Sequence, residues 1–507
     1  MPLTPIRAAV LALIACVAPA AAQDVVKVAR APLPPSLGVP FTAIGHPSSE
    51  VWIALFDALT VIDPDGQLRP ALALSWENPA PAVWRFRLRP GITFHNGAPF
   101  NAHAVMATLD LLRGPDGAKF YVSPDLRDVT AVRPVDDLTV EIETRVPDPL
   151  LPRRLSAYFI VEPGAWSALG EDGFAQAPIG TGPLTLVDWG RGSAITRLKA
   201  FPNSWRAPQV DEVHLYAVPE PVRRVQALLS GQVDIATKLG PEELRQLPET
   251  GVSTVVLQKP QVMSLTFRTV GNDGSPLHDV RVREALSLAV DRSAVTAAVF
   301  DGLAQAASQG TTPSALGFDP ALPVLPYDPA RARALLAEAG YPNGFDLQIE
   351  VFIGMLASDD LIYQQAAQNL REVGVNVELR TTTFPDWLRR FSGGGWGDID
   401  AFSYAWDSSA TFDASRAIEL SSCVKLNPYF CEPALTPMIE AVRQEMNQDL
   451  RVQNLRALGA AVRNAYPAIW IMNAVDTYAA GPRVKGLEVW SMGIRYEKLQ
   501  LSGKAAD

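Results

Sequence analysis

Histidine and cysteine, the residues that most often bind metals or act as activated nucleophiles, are scarce in this sequence. Its 507 residues include five histidines and three cysteines. A metal site needs several such ligands close together, whereas the histidines are scattered at positions 46, 95, 103, 214 and 278. The hydrolase patterns Gly-x-Ser-x-Gly and His-Glu-x-x-His are also missing. These absences argue against a metal site and against a secreted hydrolase.

A basic patch and a long apolar run are missing as well. The net charge is −10, and the arginines are scattered singly along the chain. A nucleic-acid-binding surface would need clustered lysines and arginines. Beyond the amino terminus, no apolar segment is long enough to span a bilayer. The sequence therefore predicts no nucleic-acid partner and no transmembrane helix.

The amino terminus has the features of an export signal. Arg7 precedes a short apolar run at residues 8–17, and the small residues at 20–22 suit a signal peptidase. Residues 1–22 are therefore predicted to be a signal peptide that is removed, which leaves an exported, periplasmic chain. The alternative is a lipoprotein, because LIAC at 13–16 resembles a lipobox that would leave a lipidated Cys16.

Two cysteines remain outside that segment, Cys423 and Cys431. They lie eight residues apart in SSCVKLNPYFCEP, with no histidine in the region. An oxidising compartment favours a disulfide between them. A metal site would need more ligands nearby, and a catalytic thiol would need a histidine partner. We therefore predict a disulfide.

Helix and strand signals alternate along the chain, which is typical of an α/β protein. A helix can begin at Asp328 and Pro329, an N-cap followed by proline at the first helical position. A buried strand is predicted at 345–352, a helix at 361–373 and another strand at 375–379. This β-α-β succession predicts parallel pairing, and the chain length predicts two or three domains.

The stretch LRPGITFHNGAPFNAHAVMATL, residues 88–109, concentrates arginine, two histidines and an Asn-Gly turn before a helix that Asn101 can cap. It resembles the signature of the family 5 solute-binding proteins of ABC importers, the peptide-transporter type. The likeness extends from about residue 25 to 495. Further runs match that family in the same order: IGTGPLTLVDW at 179–189, ALLSGQVDIA at 227–236, LHDVRVREALSLAVDR at 277–292 and YDPARARALLAEAGYPNGF at 327–345. In such proteins the signature lies in the body of the first lobe, so the resemblance implies that His95 and His103 are structural.

The resemblance implies a two-lobed periplasmic-binding-protein fold of the Venus-flytrap type, with α/β lobes facing each other across a cleft. Such a protein closes on its ligand without making or breaking a bond, so we expect neither an enzyme nor a cofactor. The implied division is 23–262 plus 478–507 for the first lobe, with an extra subdomain at 48–178, and 263–477 for the second, with crossings near 262–268 and 478–484.

The resemblance places ligand contacts in the second-lobe loop that follows GGGWGDIDAFSYAW, residues 393–406. Peptide-binding relatives carry a Trp and an Asp there, and the carboxylate receives the amino terminus of the ligand. Trp406 matches the Trp, Asp413 is the first candidate for the carboxylate and Asp407 the second, and Tyr404 lies beside them. The structural alternative is that these aspartates cap local turns.

In the first lobe the resemblance points to Gly45 and His46, in a loop that would equally well be explained as an apolar cover of the core. Dipeptide-binding relatives grip the carboxylate of the ligand with a basic residue in the segment equivalent to 352–360. That segment holds no Lys or Arg here, so a strict dipeptide grip is not expected from it.

These features predict the substrate-binding component of an ABC importer. It would be a monomer that captures a peptide or peptide-like solute and delivers it to a membrane permease and its ATPase subunits. Three alternatives stay open. They are a non-peptide solute, since the family also carries opines, sugars, nickel chelates and haem; a sensory domain with the same fold; and a secreted hydrolase.

Overall fold

The computed structural model describes residues 24–502 except 32, 33, 35, 44–48, 121, 191, 192, 355 and 357. The predicted signal peptide with Cys16, and the candidate ligand contacts Gly45 and His46, lie outside the described residues. Within the described part of the chain, every helix is too short or too polar to cross a membrane.

The described residues form strands that are numbered in chain order. They are β1 Val25–Arg30, β2 Thr60–Ile62, β3 Leu68–Pro70, β4 Ala73–Ala80, β5 Val83–Leu88, β6 Val129–Asp136, β7 Thr139–Thr144, β8 Leu184–Asp188, β9 Ile195–Ala200, β10 Glu212–Ala217, β11 Ile235–Thr237, β12 Ser253–Phe267, β13 Asp346–Phe352, β14 Asn376–Thr382, β15 Ala401–Asp407, β16 Ala468–Ala480, β17 Val484–Lys485, β18 Val489–Trp490, β19 Gly493–Ile494 and β20 Gln500–Leu501.

The α-helices follow the same order. They are α1 Ser49–Leu55, α2 Ala102–Arg113, α3 Leu151–Arg154, α4 Pro163–Gln176, α5 Pro221–Leu229, α6 Pro241–Leu244, α7 Val280–Leu288, α8 Arg292–Phe300, α9 Pro329–Glu338, α10 Asp359–Glu372, α11 Phe384–Gly393, α12 Ala414–Leu420, α13 Thr436–Gln444 and α14 Gln448–Ala465.

One large mixed sheet runs through the molecule in the order β14-β13-β15-β12-β16-β11-β1-β10-β9-β8. Strands β13 and β14 are parallel and are connected by α10, which confirms the predicted β-α-β unit. At the centre of the sheet, β12 and β16 have 15 and 13 residues and pair antiparallel. Their pairing shifts register between Gln258 and Val262, so the sheet is irregular midway along these two strands.

The apolar core divides on either side of that irregularity. One large cluster draws on residues 26–257 and 478–499. Two others draw on residues between 262 and 475. Strands β12 and β16 contribute to clusters on both sides, so they connect two separately packed α/β lobes through one continuous sheet.

A smaller antiparallel sheet, β4-β5-β7-β6, packs with α2 beside the first lobe. It carries the strand-turn-helix stretch singled out in the sequence. Phe86 and Leu88 of β5 are buried, whereas Arg85 on the same strand pairs with Glu141 across the sheet at 2.7 Å. Asn101 accepts hydrogen bonds from two backbone N–H groups at the start of α2, as predicted.

His95 lies inside this scaffold and touches a second recognised run, IGTGP. Its Nε2 is 3.1 Å from the carbonyl oxygen of Gly182, and its Nδ1 accepts from the N–H of Gly180 at 3.3 Å. Burial lowers the pKa of His95 to about 4. The side chain is therefore a neutral brace between two segments of the first lobe.

Candidate functional site: the cleft between the lobes

The two lobes touch at a turn that the sequence marks by Asp-Pro-Asp-Gly. Gly66 ends this turn with a φ of +77°, and a Cβ added there would lie 1.8 Å from the carbonyl oxygen of Ser314 in the second lobe. The guanidinium of Arg153 donates to the carbonyl oxygen of Gly66 at 3.0 Å and to that of Thr411 at 3.1 Å. Arg153 is buried, so it connects the first-lobe turn to the second-lobe loop in a closed arrangement.

Two ion pairs add to the contact between the lobes. Arg245 of the first lobe lies 2.6 Å from Asp301 of the second. Arg416 of the second lobe lies 3.9 Å from Asp125 of the first. The Arg245 pair is exposed on both sides, so it stabilises closure only modestly.

A small cavity lies between the lobes beside β12. Its wall includes residues 257–261, where the chain crosses between the lobes, together with Pro64, Ser409, Phe412 and Ser491. Both lobes therefore contribute to this cavity.

A row of buried charges crosses the sheet next to that cavity. Lys259 on β12 lies 3.5 Å from Asp476 on β16, and both side chains are buried. Further along the sheet, Arg30 pairs with Glu50 at 3.2 Å, and the hydroxyl of Tyr478 donates to Glu50 at 3.2 Å. Charged groups are seldom buried unless they are paired, which makes this row the main polar feature of the cleft.

Lys238 lies within the row, directly after β11, the strand between β16 and β1 in the sheet. Its backbone has a φ of +53°, a left-handed conformation that is uncommon for residues other than glycine. The backbone is held by a bond from its N–H to Thr477 at 2.7 Å and by Arg224, which donates to its carbonyl oxygen at 2.9 Å. The side chain of Lys238 is half-buried, and burial lowers its pKa.

Two of the predicted ligand contacts belong to the core of the second lobe. Trp406 is fully buried, donates to Thr266 at 3.1 Å and packs edge-on against Trp470. Tyr404 is buried and stacks on Phe391 at 5.2 Å between ring centroids. Both rings therefore belong to the packed core that precedes the second-lobe loop.

The two candidate carboxylates have different surroundings. Asp413 is fully buried, lies 3.0 Å from Arg451 and accepts from the N–H of Ser415 at the start of α12. Asp413 therefore caps α12 in this structure, as the structural alternative for these aspartates described. Asp407 is half-buried at the end of β15 and pairs in register with Gln261 of the cavity wall.

The predicted disulfide is confirmed: Cys423 and Cys431 are bonded. The loop that it closes packs on the end of α11. Lys425 lies over the ring of Phe391 at 4.7 Å, and Asn427 donates to the carbonyl oxygen of Ser392 at 2.7 Å.

Sequence reasoning missed Lys238 and Lys259. The signal that could have found them was a charged residue next to or within a strand that is otherwise apolar, in DIATKLG and VVLQKPQVM. As for metals, no group of three or more His, Cys, Asp or Glu side chains within the described residues is arranged to hold an ion.

Two lobes joined by paired strand crossings, with a charged cleft between them, define the class of two-lobed binding proteins. Residues 67–425 match the profile of the bacterial extracellular solute-binding proteins, family 5 (middle). The chain belongs to this family, as the resemblance implied. The family is defined by solute binding and not by catalysis.

Individual relatives are named for different ligands of their own. The chain is 30% identical over 347 residues to the glutathione-binding protein GsiB of Pectobacterium atrosepticum, an alignment that covers 67% of this chain and 66% of that protein. It is 26% identical over 459 residues to heme-binding protein A of Haemophilus influenzae, covering 83% of this chain and 81% of that protein. The fold matches the ABC transporter substrate-binding protein CtaP of Listeria monocytogenes with a TM-score of 0.83 at 19% identity, covering 95% of this chain and 100% of that one.

Proposed function

We propose that the protein is the substrate-binding component of an ABC importer, which captures a peptide or peptide-like solute between its lobes. The observation that carries the proposal is the pair of separately packed lobes that β12 and β16 connect and that meet around a charged cleft. A ligand that touches both lobes stabilises the closed arrangement by the difference between its affinities for the closed and open forms. Capture therefore needs no nucleophile and no cofactor.

The proposed lobes are 23–262 plus 478–507 and 263–477, with a subdomain at 48–178. Support comes from the core clusters. Along β12, Leu257 belongs to the first-lobe cluster and Val262 to a second-lobe cluster, and along β16 the change falls between Val475 and Tyr478. The hinge would be the irregular stretch of those two strands, because a few residues that can change their backbone dihedrals are enough for closure.

A peptide-like ligand is favoured by the likeness to glutathione-binding proteins, because glutathione is a tripeptide. Within the second-lobe loop, Trp406, Tyr404, Asp413 and Asp407 stay as proposed ligand contacts. Of the two carboxylates proposed to accept the ammonium group of the ligand, Asp407 is half-buried and Asp413 fully buried. In the first lobe, Gly45 and His46 stay as proposed contacts. The likeness to a heme-binding protein supports a non-peptide solute as the second candidate.

The proposal extends to location and partners. The chain would be exported with removal of residues 1–22, act in the periplasm as a monomer, and dock in its closed form on a permease that works with ATPase subunits. Membership of an extracellular binding-protein family and the disulfide at Cys423 support export, since disulfides persist in oxidising compartments.

A thermal-shift screen of the mature protein tests the proposal, with glutathione, di- to pentapeptides, haemin and a nickel–histidine complex as probes. A solute that binds only the folded state raises the melting temperature, and we expect this from at least one peptide. Mass spectrometry should then recover the bound solute intact. Cleaved solute would indicate the secreted hydrolase, and a shift with haemin alone would indicate the second candidate.

A further inference from the structure

At the hinge side of the cleft, two lysines lie close to the same carboxylate. Asp476 is paired with Lys259. Asp476 also attracts the ammonium group of Lys238, and Lys259 repels it. Arg30 and Glu50 pair with each other. Lys238 therefore shares the charge of Asp476 with Lys259, which holds that carboxylate in an ion pair.

The protein itself offers Lys238 no anionic partner of its own. Among the residues that the structure describes, no hydrogen bond or ion pair engages its ammonium group. The internal residues outside that description, which include 44–48, contain no Asp or Glu. Since removal of an ammonium from water is costly unless it is paired, a protein that only needed stability would gain from an apolar residue at this position.

The backbone of Lys238 supports the same interpretation. A non-glycine residue at a φ of +53° is strained, and such residues cluster at binding and catalytic sites. Here the strained conformation is fixed by bonds to Thr477 and Arg224. These bonds hold the backbone of Lys238 against Thr477 of β16. The preceding residue of that strand, Asp476, pairs with Lys259, which lines the cavity between the lobes.

We propose that Lys238, with Lys259 beside it, forms an anion-binding subsite at the hinge side of the cleft, and that the captured solute carries a carboxylate that pairs with Lys238. This inference rests on the proposed function, because the solute would be held in the cleft whose cavity Lys259 lines. It also supplies the basic residues that the 352–360 segment lacks, from a different wall of the cleft.

Isothermal titration calorimetry of the full mature protein tests the subsite, with glutathione and its diester as probes. Both carboxylates are neutral in the diester. We expect Lys238→Met to weaken glutathione binding by about 10–100-fold, the effect of a hydrogen bond to a charged group. The diester should bind the wild type and the variant equally weakly. Lys199→Met, at an exposed position on β9, is the matched control and should bind glutathione like the wild type.

Folding is checked in the absence of ligand. The Lys238→Met protein should melt at the same temperature as the wild type or higher, because a desolvated charge has been removed. Lys238→Arg keeps the charge and should retain most of the affinity. If Lys238→Met melts at a lower temperature and binds no glutathione, Lys238→Arg decides. Loss of glutathione binding in a folded Lys238→Arg protein would overturn the proposal.

The outcomes separate the subsite from the proposed function. If glutathione binds the wild type and Lys238→Met equally well, the subsite is rejected and solute capture stands. If glutathione does not bind at all, succinate, glutarate and glutamate serve as probes in a thermal-shift assay. A shift that Lys238→Met abolishes supports the subsite and rejects glutathione as the solute, and no shift with any of these anions overturns the subsite.

Discussion

At the scale of single residues, the environment of His95 links burial to the pH dependence of stability. Its pKa falls from 6.5 to about 4 in the folded protein, so below pH 6.5 the unfolded chain binds a proton that the folded chain does not. The contribution of His95 to the free energy of unfolding is complete above pH 6.5. It decreases as the pH falls towards 4, by about 3 kcal/mol at most. We expect His95→Gln to have a flatter profile of unfolding free energy over this window, as measured by urea unfolding at pH 7, 5.5 and 4.

His103→Gln provides the control, because His103 is exposed on α2 and should keep the wild-type pH profile when replaced. A His95→Gln variant that loses stability on acidification as steeply as the wild type would show that other groups cause the loss.

The residue scale also shows where sequence reasoning works. The caps at Asn101, Asp279 and Asp328 are local, since each side chain accepts from N–H groups two or three residues ahead. The role of Asp413 depends on Arg451, 38 residues away. A position in the sequence says little about such a distant partner, and for that reason the sequence left cap and ligand contact open.

At the scale of elements, the disulfide loop is a brace for the second lobe. It closes a segment with a sequence separation of 8, and the resulting decrease in the chain entropy of the unfolded state corresponds to about 2.5 kcal/mol of stability. We expect the double variant Cys423→Ser and Cys431→Ser to unfold with a free energy lower by about 2 kcal/mol, measured with denaturant. Reductant should destabilise the wild type to the same degree and leave the double variant unchanged. Equal sensitivity of both proteins to reductant would contradict this role.

Elements differ in how far the sequence reveals them. The unit β13-α10-β14 was predictable because its strands and helix are consecutive and each has the hydrophobic period of its type. The pairing of β12 with β16 was not, since these strands are more than 200 residues apart in sequence. Their shift in register near Gln258 depends on that long-range pairing, so the periodicity of either strand alone could not reveal it.

At the scale of the whole molecule, the proposed function depends on the balance between an open and a closed arrangement of the lobes. In the proposed mechanism, contacts between the lobes, such as those of Arg153 with Gly66 and Thr411, would form on closure and shift this balance for every ligand. Weakening them should reduce the affinity for all solutes by the same factor, because the binding-competent population falls. Changes at Lys238 should instead depend on the charge of the solute.

Gly66→Ala isolates the closed state. The added Cβ would meet the carbonyl oxygen of Ser314 at 1.8 Å when the lobes close, so we expect affinity for the solute found by thermal shift to fall about tenfold or more. Small-angle scattering should show that saturating solute no longer reduces the radius of gyration as it does in the wild type. Alanine at positive φ also costs about 1–2 kcal/mol in the turn itself, and Gly97→Ala controls for this. Gly97 has a φ of +84° with nothing within 4 Å of its added Cβ, so that variant should lose similar stability but keep wild-type affinity and closure. Equal loss of affinity in both variants would show that turn strain, and not the contact between the lobes, is responsible.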